Sequence, residues 1–218
     1  MNKAFIFDMD GVLVNSEQVW SQDETNFHNE LFGEEIAQKI GKTIGMSLNT
    51  LYDKAVEYGF SMNKNEYILR YDTKAASIYQ KVKITDGVEQ LAQKLIELEY
   101  KLGVVSSSRR NWIDKVINRL SFKHNLEYII SITDRPDLPP KPNPDAYLDA
   151  IKHLHASPAT TIILEDSNSG IQAAKASGAF TIGFRGSLVS GYKQTGADVY
   201  ADTMEEVIKI VESREDNS

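Results

Sequence analysis

Short runs of β-branched and aromatic residues alternate with longer helical patterns over most of this 218-residue chain. The apolar residues between two such runs lie at the spacing of one helical face, as in Val88, Leu91, Ala92 and Leu95. Short apolar strands joined by helices predict a parallel sheet with helices on both faces, a three-layer α/β fold. We predict strands at 4–7, 102–105, 128–132, 161–164 and 180–183, with a sixth at 198–200.

The segment from residue 16 to residue 83 interrupts this alternation. It contains no convincing strand and consists of polar-rich helical stretches that carry several aromatic residues. We predict that residues 16–83 form an inserted α-helical cap over the carboxyl edge of the sheet, while residues 1–15 and 84–218 form the α/β core. The alternative is an extra helical layer packed permanently on the core, and the composition of the segment supports both equally.

The composition of the chain excludes several classes of function. Lys and Arg number 24 against 31 Asp and Glu, a net charge of −7, and no basic cluster offers the face that nucleic acid requires. The absence of cysteine excludes disulfides, thiolate metal sites and cysteine nucleophiles. No apolar run approaches the ~20 residues of a membrane span, and the first apolar stretch is too short for a signal peptide. We therefore expect a cytoplasmic protein without nucleic-acid or membrane partners, and a monomer by default.

Two aspartates follow the first predicted strand, in the segment 7–13, which reads FDMDGVL. Alternate residues of an extended segment point the same way, so Asp8 and Asp10 are expected to share one side, and Gly11 permits a sharp turn after them. Carboxylates at this spacing repel each other unless a cation or a proton intervenes. The alternative is an ordinary turn between a strand and a loop, in which aspartate and glycine are common.

A second acidic pair, Glu165 and Asp166, follows the predicted strand 161–164. If this strand neighbours the first one, the two acidic pairs converge. Four carboxylates without histidine or cysteine form a hard oxygen site that suits Mg²⁺ rather than zinc. The alternative for this segment is helix capping by Ser167 or Asn168.

Two further polar residues lie at predicted strand ends or in rigid turns. Ser106 is the first residue after the strand 102–105, and its hydroxyl and the following N–H groups can hold a phosphate oxygen, although serine there is often plain loop. Lys141 stands between prolines that restrict its backbone, which indicates a rigid turn or a positioned ammonium group. The same turn predicts the start of a helix, with Asn143 as N-cap and Pro144 at the first helical position.

These four features, in this order and at strand ends, resemble the motifs of the haloacid dehalogenase superfamily of aspartyl-phosphate-forming hydrolases over essentially the whole chain. Residues 7–13 are similar to its first motif, Ser106 to the second, Lys141 to the third and residues 165–166 to the fourth. The helical segment 16–83 resembles the cap of the branch that contains β-phosphoglucomutase and phosphoglycolate phosphatase. The resemblance implies a Rossmann-like core with that cap.

The resemblance also implies roles for these residues. Asp8 is the expected nucleophile, and Asp10 is expected to protonate the leaving oxygen and then to deprotonate water. Ser106 and Lys141 would bind the non-bridging phosphate oxygens. Mg²⁺ would be held by Asp8, the backbone carbonyl of Asp10 and residues 165–166, with Glu165 binding directly or through water. The expected function is Mg²⁺-dependent hydrolysis of a small phosphate monoester through an aspartyl phosphate.

Other functions on the same fold are a mutase of the β-phosphoglucomutase type and a binding or regulatory protein without turnover. Trp20 and Leu48 stand near the places where such mutases carry a cap histidine and a cap arginine, which favours a phosphatase. A dehalogenase is disfavoured because displacing halide needs neither Asp10 nor a metal. Trp20, Tyr52 and Tyr71 are candidates for the substrate pocket, with cap core as the preferred alternative for all three.

Overall fold

The computed structural model describes residues 1–41, 43, 46, 48–188 and 191–216. Within them, the six predicted strands are confirmed, several of them longer than the apolar runs that predicted them. The strands are β1 (Asn2–Phe7), β2 (Tyr100–Ser106), β3 (Leu126–Ser131), β4 (Ala156–Glu165), β5 (Phe180–Phe184) and β6 (Val199–Ala201). No helix among the described residues combines the length and apolar character needed to cross a bilayer.

The six strands form one parallel sheet in the order β3-β2-β1-β4-β5-β6. Because β1 lies between β2 and β4, Phe7 is in register with both Val104 and Leu164. The carboxyl ends of these three strands therefore lie side by side, at the edge where ligands bind in open parallel sheets. The predicted α/β fold class is confirmed.

Helices cover both faces of the sheet, because alternate residues of each strand point to opposite faces. Phe5 and Phe7 of β1 pack in one core cluster and Ala4 and Ile6 in another. Full burial of a large apolar side chain such as Phe5 or Ile6 stabilises the fold by about 1.5–3 kcal/mol. The helices are α5 (Val88–Glu97), α6 (Arg110–Ile117), α7 (Asp145–His153), α8 (Asn168–Ala176) and α9 (Met204–Glu215).

Four helices occupy the described part of the predicted insertion, and no strand occurs among its described residues. They are α1 (Ser16–Phe32), α2 (Glu34–Ile40), α3 (Leu48–Glu57) and α4 (Lys64–Tyr79). Tyr67 is fully buried among their rings, 6.0 Å from the Phe32 ring and 5.0 Å from the Tyr71 ring. A backbone hydrogen bond from the Asn15 N–H to the Lys83 carbonyl joins the two ends of the segment.

The two capping predictions have different outcomes. Ser167 caps α8, since its side chain accepts a hydrogen bond from the Gly170 N–H, as predicted. The prediction that Asn143 caps α7 is wrong, because the helix begins at Asp145 with Pro144 in the capping position. The Asn143 side chain instead donates to the Pro140 carbonyl over 3.1 Å and closes the proline-rich turn.

Candidate active site

The acidic residues predicted from the sequence meet at the carboxyl edge of the sheet. Asp8 directly follows β1, and its N–H donates to the Leu164 carbonyl of β4 over 3.0 Å. Glu165 ends β4, and Asp166 follows it. One carboxylate oxygen from each of Asp8, Glu165 and Asp166 lies within 4.8 Å of the others. Two strand ends that are neighbours in the sheet thus bring together residues far apart in sequence.

Lys141 lies inside this acidic cluster. Its Nζ is 2.6 Å from Asp8 Oδ1 and 2.5 Å from Glu165 Oε1, and it also donates to the Val105 carbonyl over 3.3 Å. Burial alone would lower the pKa of Lys141, but the carboxylates of Asp8 and Glu165 raise it well above its usual value. The side chain is therefore a buried ammonium ion at neutral pH.

The acidic cluster carries more negative charge than Lys141 offsets. Burial raises the pKa of Asp8 well above its usual value against the attraction of Lys141, and the charges of Glu165 and Asp10 raise it further. A cation between the carboxylates would stabilise their ionised form. Because the donors are carboxylate oxygens, the cluster fits a hard divalent cation such as Mg²⁺.

Glu165 is held in place by four donors from three residues. Its Oε1 accepts from Lys141 and from the Tyr147 hydroxyl at 2.7 Å, and its Oε2 accepts from the N–H and hydroxyl of Ser167, both at 3.1 Å. A Cβ at Gly170 would lie 1.8 Å from Glu165 Oε1, so this position accommodates glycine alone without displacing the carboxylate. Sequence reasoning missed Tyr147, whose position in the apolar stripe of α7 gives no sign that its hydroxyl reaches the site.

Asp10 accepts hydrogen bonds from three hydroxyl groups. Its Oδ1 lies 2.5 Å from Ser16 Oγ and 2.7 Å from the Tyr79 hydroxyl, and its Oδ2 lies 2.6 Å from Ser108 Oγ. Burial and the nearby Asp10 carboxylate raise the pKa of Tyr79 well above its usual value, so its hydroxyl keeps its proton. None of these three donors was identified from the sequence, because each comes from a different element and only packing brings them together.

Gly11 lets the loop after β1 pass close to Asp166. Its φ of +77° lies in the left-handed region, and a Cβ there would fall 1.9 Å from Asp166 Oδ2. On the other side of Asp166, its backbone carbonyl accepts from Gln194 Nε2 over 2.5 Å. Asp166 is thus confined between two loops.

Ser106 is the last residue of β2, and its hydroxyl group faces the turn that follows the strand. It is buried, and its hydroxyl oxygen accepts from the Ser108 N–H over 3.0 Å. The next two serines, Ser107 and Ser108, line the cavity described below, whereas Ser106 supports the turn beneath them.

A cavity of about 760 Å³ opens above these residues. Trp20 and Leu48 line it, whereas Tyr52 and Tyr71 pack in the helical segment, where the hydroxyl of Tyr52 donates to the Met62 carbonyl and that of Tyr71 contacts His28. The structure thus places Trp20 at the cavity and the two tyrosines among the packed side chains of the helical segment. Residues from both the sheet edge and the helical segment form the walls, among them Asp8, Asp10, Lys141, Asp166, Trp20, Leu48, Tyr79, Arg109 and Trp112.

Comparison with known proteins identifies relatives over most of the chain. The sequence model of the family described as haloacid dehalogenase-like hydrolase matches residues 5–184. The chain is 28% identical over 178 residues to hexitol phosphatase B of Escherichia coli (strain K12), 79% of each protein. Validoxylamine A 7'-phosphate phosphatase of Streptomyces hygroscopicus is 27% identical over 200 residues, 84% of this chain and 85% of that enzyme. The β-phosphoglucomutase of Bacillus subtilis is 27% identical over 208 residues, 90% of this chain and 88% of that enzyme.

Proposed function

The chain belongs to the haloacid dehalogenase-like hydrolases, as its motifs predicted, and is a phosphoric monoester hydrolase of that family; within this class, we propose that it releases phosphate from a small phosphorylated metabolite in a Mg²⁺-dependent reaction. The observation that carries the proposal is the contact of Lys141 with both Asp8, which lines the same cavity, and the buried Glu165. The relatives named as phosphatases support hydrolysis, and their names refer to a hexitol and to validoxylamine A 7'-phosphate.

In this proposal, Asp8 is the nucleophile. One of its carboxylate oxygens attacks phosphorus, the bond between phosphorus and the leaving oxygen breaks, and Asp10 gives its proton to that oxygen. Asp10 then takes a proton from water, whose oxygen attacks the phosphorus of the aspartyl phosphate and frees Asp8 and inorganic phosphate. Both carboxylates follow the end of β1 and line the same cavity, which supports consecutive roles for them on one phosphate group.

The residues that would hold Mg²⁺ are Asp8, Asp166 and the backbone carbonyl of Asp10, with Glu165 binding directly or through water. A bound divalent cation supplies positive charge that offsets the repulsion between an anionic nucleophile and an anionic phosphate. The excess of carboxylates over ammonium groups in the cluster supports this assignment. Glu165, which already accepts from Lys141, Tyr147 and Ser167, additionally anchors the lysine.

Lys141 and the turn after β2 are proposed to bind the non-bridging phosphate oxygens. The ammonium group of Lys141 already contacts the proposed nucleophile, so it can bind a phosphate attacked by Asp8. Ser106 contributes through its own hydroxyl and by supporting Ser107 and Ser108, which line the cavity. These positive and hydrogen-bonding groups offset the unfavourable net charge of −7 locally.

Residues 16–83 are proposed to act as a cap domain on a core of residues 1–15 and 84–218. Trp20, Leu48 and Tyr79 from this segment line the cavity above the sheet edge, which supports a role in substrate selection. Opening of such a cap would admit water after the first transfer. The cytoplasmic location and the monomeric state stay predictions.

The proposal is tested by phosphate release from p-nitrophenyl phosphate. We expect the wild type to hydrolyse it, chelation by EDTA to stop the reaction and added Mg²⁺ to restore it. Asp8→Asn should abolish release, whereas Asp53→Asn, at an exposed position of α3, should retain it. Absence of release by the wild type, or undiminished release by Asp8→Asn, would reject the proposal.

A sugar-phosphate mutase is the second candidate, and the similarity to β-phosphoglucomutase over 90% of this chain favours it. Trp20 argues against the mutase, because it lines the cavity near the place where the similar mutases carry a histidine. A mutase would interconvert β-glucose 1-phosphate and glucose 6-phosphate when primed with the bisphosphate and would release little phosphate. The same preparation therefore distinguishes the two functions.

A further inference from the structure

Tyr79, the last residue of α4, is hydrogen-bonded to Asp10. Its hydroxyl lies 2.7 Å from Asp10 Oδ1 and 3.3 Å from Ser108 Oγ, and the side chain is only 2% exposed. A buried tyrosine hydroxyl needs a partner, and many acceptors would serve. In this chain the Tyr79 hydroxyl donates to Asp10, the carboxylate two residues after the proposed nucleophile Asp8.

Contacts on two sides hold Tyr79 in place. Its ring stacks on Trp112 of α6 with the ring centres 5.7 Å apart. The Arg119 guanidinium donates to the backbone carbonyl of Tyr79 over 2.8 Å and to that of Val82 over 2.6 Å. Trp112 is fixed in turn, because its Nε1–H donates to Asp72 of α4 over 2.7 Å. The position of the Tyr79 hydroxyl is therefore set by both the helical segment and the core.

The hydrogen bonds to Asp10 distinguish its two oxygens. A carboxylate oxygen has two lone pairs. Oδ1 accepts from both Ser16 and Tyr79, which occupies both of its lone pairs. Among the described residues, Ser108 is the donor to Oδ2, which leaves one lone pair of that oxygen for a proton. Asp10 itself lines the cavity, so the vacant lone pair of Oδ2 is the position where this carboxyl group can carry a proton without displacing one of its three donors.

We propose that Tyr79 is a positioning residue that, together with Ser16, saturates Asp10 Oδ1 and so directs proton transfer through Oδ2. This inference rests on the proposed function, because it assigns a task to Tyr79 in the step that expels the leaving group. The proton moves from Asp10 Oδ2 to the leaving oxygen and is later replaced by one from water. Without Tyr79, the carboxyl group can rotate or carry its proton on Oδ1, away from the leaving oxygen.

The inference predicts a dependence on the leaving group. 4-Nitrophenolate is a stable anion and departs with little help from an acid, whereas phenolate and an alkoxide need a proton. General acid catalysis contributes about 10²–10⁴-fold, so partial loss of its positioning should slow the poorer leaving groups by about tenfold or more. Loss of packing alone would slow all substrates alike.

The experiment compares 4-nitrophenyl, phenyl and benzyl phosphate in the wild type, Tyr79→Phe and Tyr71→Phe. Tyr71 is a matched control, since it is another buried tyrosine of α4 whose hydroxyl contacts His28 instead of Asp10. We expect Tyr79→Phe to lower kcat for phenyl and benzyl phosphate far more than for 4-nitrophenyl phosphate, with KM little changed. Tyr71→Phe should keep the wild-type ratio of the three rates.

Ser16→Ala, which removes the other donor to Oδ1, should show the same selective loss and serves if Tyr79→Phe does not fold. Equal loss with all three esters, or no loss, in the folded variant overturns the inference while the proposed function stands. If the wild type hydrolyses none of the esters, the proposed function itself fails, and the inference falls with it.

Discussion

Lys141 Nζ lies 2.6 Å from Asp8 Oδ1, although the two residues are 133 positions apart in the chain. The lysine side chain is 6% exposed and the aspartate side chain 9% exposed, so the pair is almost completely removed from water. A buried ion pair is expensive to desolvate and is retained only where its geometry is good and further hydrogen bonds complete it. Here a second carboxylate, that of Glu165, lies 2.5 Å from the same Nζ and completes the hydrogen bonding of the pair.

Replacing Lys141 with methionine should destabilise the fold and abolish phosphate release. The substitution leaves the buried Asp8 and Glu165 carboxylates without their ammonium partner, which costs about 3–5 kcal/mol in similar cases. Urea unfolding in EDTA measures this loss. Lys101→Met is the matched control, because Lys101 pairs with Glu127 on the surface, where an ion pair is worth about 0–1 kcal/mol. Equal stability of the two variants would contradict the account.

Gly11→Ala should weaken Mg²⁺ binding more than it weakens the fold. Both Gly11 and Gly33 have positive φ, so alanine strains the backbone at either place. A Cβ at Gly11 would also collide with Asp166 Oδ2, whereas one at Gly33 meets nothing within 4 Å. Calorimetric titration with Mg²⁺ should therefore show lost affinity in Gly11→Ala and wild-type affinity in folded Gly33→Ala. Unaltered affinity in both would remove Asp166 from the proposed metal site.

His28 should make the stability of the protein depend on pH. Burial lowers the pKa of His28 from its usual value of 6.5, partly opposed by the charge of Glu24, and its Nε2 lies 2.6 Å from the Tyr71 hydroxyl. The folded state thus binds the proton less readily than the unfolded chain does. The stability that depends on neutral, buried His28 is fully present above about pH 6.5, and it is lost as the pH falls below that value towards the lowered pKa.

Thermal unfolding of the wild type and of His28→Gln between pH 8 and pH 5 tests the predicted loss of stability on acidification. The wild type should lose stability on acidification faster than the variant, which carries no titrating group at this position. Parallel curves, or a steeper loss in the variant, would show that His28 is not buried in its neutral form.

The fold could be predicted because strands and helices have different periodicities, and each of the six runs predicted as strands is a strand of the sheet. Strand ends were less predictable, since β4 begins at Ala156, in a polar stretch in which Thr160 Oγ1 donates to the Asn2 carbonyl. The start of α7 was misplaced because Asn143 belongs to the proline-rich turn, where it donates to the Pro140 carbonyl, and the helix begins two residues later. Local patterns thus locate elements better than they locate boundaries.

Among the site residues, Asp8, Glu165 and Asp166 could be located because acidic residues at the end of buried strands are conspicuous. Tyr79 and Tyr147 could not, since a tyrosine in a helix usually serves packing and its hydroxyl partner lies far away in sequence. Ser108 was overlooked within a run of three serines because its neighbour Ser106 stands at the strand end. Contacts between elements depend on how the elements pack, which no single segment encodes.

The most direct test of the account is the site of phosphorylation during turnover. The protein is mixed with p-nitrophenyl phosphate and Mg²⁺, quenched in acid within the first turnovers, digested and analysed by mass spectrometry. The account predicts an acid-stable, hydroxylamine-sensitive phosphate on Asp8, absent from Asp8→Asn and present in Asp53→Asn. Turnover without any phosphorylated residue, or with the phosphate on another side chain, would contradict it.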